Sequence, residues 1–432
     1  APPGRRPAVA PQLATAGQAS TWLDAERANL HAAAGYAAAS GRTGHVIAIP
    51  AAISGFLFAR GHWDQSAALH RAALAAAREA GDRAGQAGAL DELGILQRAT
   101  GEHPAAAASH QQALELYRGL GDRLGQASVL NNLGRVQYET GECVAAATSH
   151  EQALALFRDL DHRAGQALAL TTLGLVQAQT GNYPTAATSH RQALDIFHAL
   201  GHRLGQAIAT GNLGNVQFRT GDYPAAAASM TQALGMYRDL GDRQGQAIAT
   251  GNLGLVHAMT GDYPAAAASM TQALGMYRDL GDRVGEAKDI KNLGWVQSMT
   301  GDRPAAIASL TQALGMFREF GEPYSQAEVL NHLGEVLLRP DDSHQARDHH
   351  TQALAIAREI GAPLEEARAL EGIGHCLLRD GNPDDATVHW NQALMIYQRI
   401  GAPYTRRIEE TLRQHGTRTT SPPVGTAIGG PA

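Results

Sequence analysis

The chain has 432 residues and a formal net charge of −6, with 35 Lys and Arg against 41 Asp and Glu. That balance argues against nucleic acid or an anionic membrane as the main partner, and no apolar run is long enough to span a bilayer. The two cysteines, Cys143 and Cys376, lie too far apart along the chain to bridge and indicate a reducing, cytoplasmic compartment.

In chain order, residues 1–19 are rich in Pro, Ala and Gly and read as a disordered linker. Residues 20–80 follow as N-terminal helices and a degenerate repeat. Thr21 to Ser40 is expected to be a helix anchored by Trp22, Leu23, Leu30 and Tyr36, and Pro50 is expected to kink or break the next one. From Gly81 to Ile400 a forty-residue unit then repeats eight times without insertion or deletion. Ala-Leu recurs at Ala113-Leu114, Ala153-Leu154, Ala193-Leu194 and onward to Ala393-Leu394. Leu-Gly recurs at Leu93-Gly94, Leu133-Gly134 and onward to Leu333-Gly334. A fixed period of this length marks a stacked repeat array rather than a globule with one central core.

Each unit reads as two helices. In 121–160, Gly121 suits a left-handed helix end and Asp122 caps the next helix. Helix A runs to about Thr140, Gly141 ends it, and helix B runs from near residue 144 to Leu160. Pro104, Pro184, Pro224, Pro264 and Pro304 stand at the start of helix B, where a missing N–H does no harm. Unit 321–360 departs from this turn with Arg339-Pro340-Asp341-Asp342-Ser343, so a local change is expected there. Residues 401–415 read as a charged, solvent-facing capping helix carrying Arg406, Arg407, Glu409, Glu410 and Arg413. Residues 416–432 read as a disordered tail. The expected fold is all-α, a right-handed superhelical solenoid of antiparallel helix pairs.

Chemistry is sparse. His70, His110, His150, His190 and His350 share one position of helix B, where Met230, Met270, Leu310 and Trp390 stand in other units. Side chains one repeat apart lie about 8–10 Å from each other, too far to converge on one ion, so these histidines are assigned to packing. No nucleophile–base pair or carboxylate pair follows from spacing. The expectation is no enzyme, no cofactor and no metal.

The helix pairs resemble tetratricopeptide repeats through Leu133-Gly134, Ala146 and Ala153 and their equivalents. The forty-residue length and Gly-Asp-Arg linker look like the extended variety in G-protein-signalling modulators and actinobacterial regulators. A second likeness covers Trp22 to Leu30. It is similar to the segment preceding the repeats in actinobacterial NB-ARC-type signal-transduction ATPases and antibiotic-pathway activators. Neither lysine sits in a Gly-Lys-Ser/Thr phosphate loop, so the likeness implies a sensor region without its nucleotide-binding module.

The resemblance implies that helices A line a concave groove that binds a protein or peptide. Units 201–240 and 241–280 sharpen this, because they differ at only six positions: His202/Asp242, Leu204/Gln244, Asn215/Leu255, Gln217/His257, Phe218/Ala258 and Arg219/Met259. Four of the six fall late in helix A. Divergence driven by a ligand and a recent duplication with patchy exchange both account for this. The candidate groove residues are Arg135, Tyr138, Glu139, Asn212, Asn215, Phe218, Arg219, Asn252, Lys288, Lys291, Asn292, Trp295 and Glu335. Asn215, Asn252 and Lys288 also fall on three of five positions with which some tetratricopeptide cochaperones clamp a C-terminal carboxylate. Gly211 and Asn292 hold the other two, with Lys291 as a near substitute. The alternative for the lysines is pairing with Glu286 and Asp289.

The expected function is thus a binding scaffold within a regulatory protein. Two alternatives stay open: a receptor for a small signalling peptide, and the sensor fragment of a signalling ATPase or transcriptional activator. The expected partner is a protein or peptide, with no nucleic acid and no membrane, and self-association through an uncapped end is open.

Overall fold

The computed structural model describes residues 15–338 and 343–415. Among these residues lie twenty helices and no strand. They are α1 (Ala16–Ala39), α2 (Thr43–Ala59), α3 (Trp63–Glu79), α4 (Arg83–Ala99), α5 (His103–Leu120), α6 (Arg123–Glu139), α7 (Cys143–Asp159), α8 (Arg163–Gln179), α9 (Tyr183–Ala199) and α10 (Arg203–Arg219), followed by α11 (Tyr223–Leu240), α12 (Arg243–Met259), α13 (Tyr263–Leu280), α14 (Arg283–Met299), α15 (Arg303–Phe320), α16 (Pro323–Leu337), α17 (Ser343–Glu359), α18 (Pro363–Arg379), α19 (Pro383–Ile400) and α20 (Thr405–His415). The fold is an all-α solenoid in which consecutive helices pack as pairs.

Three details differ from expectation. Helix α1 begins at Ala16, inside the stretch read as linker, because Thr15 Oγ1 accepts from the Gln18 amide and caps it. Of the kink or break expected at Pro50, the break does not occur, and α2 runs through it. The ring is buried, and that burial offsets the backbone bond a proline cannot make. Helix α20 is charged outside, but Ile408 is fully buried beneath it and Leu412 joins the same apolar cluster. The shortened α16 agrees with the irregular turn of its unit. Residues 339–342, the first fourteen residues and the 416–432 tail lie outside the described residues.

The motifs act as packing rules. In the pair α6–α7, a Cβ at Gly134 would fall 2.8 Å from His150 Cε1. In the pairs α10–α11 and α14–α15, Gly214 and Gly294 make the same room for Met230 Cγ and Leu310 Cγ, at 3.0 and 2.9 Å. The Gly of Leu-Gly is therefore the recess for whichever large side chain stands in the helix B slot, and these side chains are buried. Asp122, Asp242 and Asp282 each accept from an amide three residues on at 2.9 Å, capping α6, α12 and α14.

The chain forms two compact units. The first comprises Ala1–Gln137 and Thr148–Gly165, and the second comprises Tyr138–Ala147 and Gln166–Ala432. In the first unit, α2 also touches α4, so helices A are neighbours as well as pair members. In the second unit, α10, α12, α14, α16 and α18 touch in succession and form one wall.

The second unit coils back on itself. At Gly141 a Cβ would fall 2.8 Å from Ile360 Cγ2, at Gly181 2.5 Å from Ile400 Cγ2, and at Gly221 3.0 Å from Pro403 Cβ. Pro323 and Pro363 join the first two contacts, so Gly141–Pro323, Gly181–Pro363 and Gly221–Pro403 share an offset of 182 residues. One apolar cluster binds this closure, joining Tyr183, Ala186 and Val216 to Leu364, Tyr397 and Ile400. The sequence marks the docking edges. The linker reads Gly-Asp-Arg at 121, 241 and 281, but Gly321-Glu322-Pro323, Gly361-Ala362-Pro363 and Gly401-Ala402-Pro403 later.

Candidate functional site: the inner wall of the second unit

Ile208, Asn212 and Asn215 on α10 are spaced by four and three residues, so they share one helix face. The opposite face meets helix B through buried Ala207, Thr210 and Gly214. Helix α12 repeats the face with Ile248, Asn252 and Leu255, and α14 with Lys288, Asn292 and Trp295. The wall is therefore a lattice of equivalent positions on adjoining helices.

The early part of this wall is open. Leu168, Ile208 and Ile248 occupy one position of α8, α10 and α12 and are 52, 37 and 44% exposed. Beside them Asn212, Asn215 and Asn252 are half-buried, and their side chains make no hydrogen bond to other described residues. Their amides reach solvent and are free to bond an incoming chain. The aliphatic members of this patch were not picked out in the sequence. The signal was present as branched apolar residues four positions before each Asn.

The later part of the wall is internally neutralised. Lys291, the near substitute for a clamp residue, is buried and donates to Glu328. Burial opposes ionisation of Glu328, yet Lys291 and Arg219 outweigh it and hold the carboxyl at about 2. Arg368 donates to Glu335 at 2.9 Å and to Glu365 at 3.3 Å. Glu335 remains 44% exposed, and Arg368 and His332 hold it well below the usual carboxylate range against the penalty of its crowded site. His332 is pushed down by burial and by Arg368. Its ring lies 5.9 Å from that of Trp295, which is half-buried against Leu255 and Leu293.

One further candidate, Arg219, serves the coil closure, and the rest are held locally. Arg219 donates to Tyr324 Oη at 2.9 Å with its guanidinium 5.7 Å from that ring. Phe218 packs on Tyr223 and the Met230 cluster. Tyr138 packs with Cys143 and Val176, and burial pushes its hydroxyl up to about 12. Glu139 is half-buried, and Arg135 is exposed in the first unit. Asn292 is buried and bonds to Asp289. Glu286 pairs with Arg278 and Arg283 rather than with a lysine. Of the five clamp positions and the near substitute Lys291, Asn292 and Lys291 are thus engaged within the wall, and Lys288 stays exposed with no partner among the described residues. Those residues hold no cluster of three His, Cys, Asp or Glu arranged for a metal ion. No described helix is long and apolar enough to cross a membrane.

Comparison with known proteins agrees with this architecture. No curated protein matches the sequence. Among solved structures, a Rap protein complexed with competence and sporulation factor superposes with a TM-score of 0.62 at 14% identity, covering 85% of this chain and 99% of its own. The Rap conjugation gene regulator of plasmid pLS20, in complex with the Phr* peptide, gives a TM-score of 0.55 at 19% identity, covering 68% and 78%. At such identities the likeness is one of fold. The tetratricopeptide repeat family model matches residues 47–119, 110–159, 165–239, 245–319 and 325–399. With most of its length accounted for in this way, the chain belongs to the tetratricopeptide repeat family.

Proposed function

We propose that the chain is a peptide-binding scaffold whose ligand lies along the open inner wall of the second unit. The observation that carries this is the half-buried, unpartnered amides of Asn212, Asn215 and Asn252 beside exposed Ile208 and Ile248. Amides satisfy a peptide backbone irrespective of its sequence, and aliphatic side chains supply burial. Adjoining helices lie about 10 Å apart, about the span of three residues of extended chain. The two Rap structures were solved with bound ligands, a named factor and a named peptide, which supports the same use of the fold here. We further propose a regulatory setting, with the chain acting as the sensing part.

The test is selection of random decapeptides on the whole chain, followed by titration of the winners against Asn212→Ala/Asn252→Ala. The double variant is expected to keep its melting temperature and weaken binding by about tenfold or more. Unchanged affinity would place the ligand elsewhere and end the proposal.

A further inference from the structure

Two helices A of the open wall are capped by histidine where their neighbours use aspartate. The Gly165 amide of α8 donates to His162 Nδ1 at 3.0 Å, and the Gly205 amide of α10 donates to His202 Nδ1 at 2.9 Å. At the same position Asp82, Asp122, Asp242 and Asp282 accept the corresponding amide of α4, α6, α12 and α14 at 2.9 Å. The exchange extends to the ring beneath. His162 packs on Phe157 and His202 on Phe197, with ring centroids 5.4 and 5.3 Å apart. Tyr117, Tyr237 and Tyr277 stand at that position before Asp122, Asp242 and Asp282.

Nδ1 accepts a hydrogen bond only while it carries no proton, and imidazole is the side chain that changes charge between about pH 5 and 8. Protonation removes the acceptor and puts a positive charge at the positive end of the helix. The phenyl ring beneath attracts the charged imidazole as well, so the charge stays at the helix end. His162 is flanked by Asp161 and Arg163 of its own linker and by the exposed pair Arg123–Asp159. His202 is flanked by His198, by Arg203, which pairs with Asp239, and by Arg163, the counterpart of Arg123. On the preceding helix A, Gln244 reaches Asp282, and the residues equivalent to Gln244 beside the two histidines are uncharged Leu124 and Ala164.

From this geometry we infer that the open wall is acid-sensitive: protonation of His162 and His202 uncaps α8 and α10, frays their first turns and lowers the affinity for the ligand. The last step rests on the reading of the wall as a peptide site. Leu168 and Ile208, 52 and 37% exposed, stand in the second turn, directly on the part that frays. Helices α12 and α14 keep their aspartate caps.

Hydrogen exchange of the whole chain at pH 7.5 and 5.5, read as protection factors, tests the caps. Protection of amides 165–168 and 205–208 is expected to fall about tenfold in acid, while 125–128 and 245–248 on aspartate-capped α6 and α12 stay level. Burial lowers the slot residues His150 and His190 to about 4, so they stay neutral in this window. His162→Asp/His202→Asp, which installs the cap of the neighbouring linkers, should abolish the fall. An acetylated, amidated decapeptide from the selection, free of Asp, Glu and His, is expected to bind about fivefold or more weaker at pH 5.5 on wild type and equally at both pH values on the double variant. Level protection at the histidine caps, or an equal fall at the aspartate caps, would overturn the inference while leaving the binding scaffold standing. A fall in protection without a change in affinity would overturn the acid-sensitive binding. Peptides indifferent to Asn212→Ala/Asn252→Ala would remove the scaffold reading and leave the exchange experiment to decide the caps.

Discussion

Asp289 shows how far one position can depart from its repeat. The equivalent residues on α10 and α12 are Ala209 and Ala249, both buried in the contact between successive helices A. Asp289 is only 4% exposed, and its Oδ2 has no partner among the described residues. Space for it comes from Gly251, where a Cβ would fall 2.6 Å from Asp289 Oδ1. Burial raises its pKa to about 7 from 3.8, against the opposing pull of Asn292 and Lys291. A carboxyl raised on folding contributes stability that is complete below pH 3.8 and lost as pH rises through 7. Asp289→Ala is therefore expected to stabilise the chain at pH 8, by up to about 4 kcal/mol at 1.36 kcal/mol per unit, and to change little at pH 4. Denaturant melts at the two pH values check this, and an equal effect at both would show that charge burial is not the cause.

At the scale of the helix pair, the shared slot of helix B explains both a pattern and a vulnerability. The slot was legible in the sequence because His190 and Met230 alternate at one register opposite an invariant Gly, and local packing repeats wherever the register repeats. Caps at Asp122, Asp242 and Asp282 were legible for the same reason. Pro50 and the start of α1 were not, since burial overrides a proline's local preference and a single Thr15 hydroxyl extends a helix into a linker-like composition. The slot's chemistry has a pH consequence. His70, His150, His190 and His350 are buried, and burial lowers each to about 4 from 6.5. Stability from these neutral rings is complete above pH 6.5 and is lost as pH falls through 4, the opposite sense to Asp289. His190 offers the cleanest test, because neither ring nitrogen has a partner among the described residues and substitution strands no other group. His190→Met, the residue of the twin units, should raise the melting temperature by a few degrees at pH 4.5 and by less at pH 8. A shift independent of pH would mean that packing, not protonation, sets the difference.

For the molecule as a whole, the property least visible in the sequence is the closure of the second unit. Coiling accumulates small rotations over several repeats, so no single repeat encodes which edge will meet which. Phe218 and Arg219 illustrate the consequence. Their divergence from Ala258 and Met259 suggested a ligand; in the structure Arg219 bonds to Tyr324 across the closure, whereas Phe218 packs locally on Tyr223. The open amides and aliphatics of the wall were half legible: the Asn residues stood out by type, and Ile208 and Ile248 were hidden among ordinary apolar positions. Closure can be isolated from local backbone strain by comparing two glycines in near-identical turns. Gly181 has φ +79 and meets Ile400, while Gly261 has φ +86 and meets nothing within 4 Å. Gly181→Ala and Gly261→Ala should both lose about 1–2 kcal/mol from the left-handed backbone. Only Gly181→Ala must also displace Ile400 and Pro363, an overpacking that costs about 1–3 kcal/mol more. Hydrogen exchange should then rise around residues 361–365 and 400–404 in Gly181→Ala and stay unchanged there in Gly261→Ala. Equal losses and equal exchange in the two variants would show that the coil of the second unit does not close through these turns.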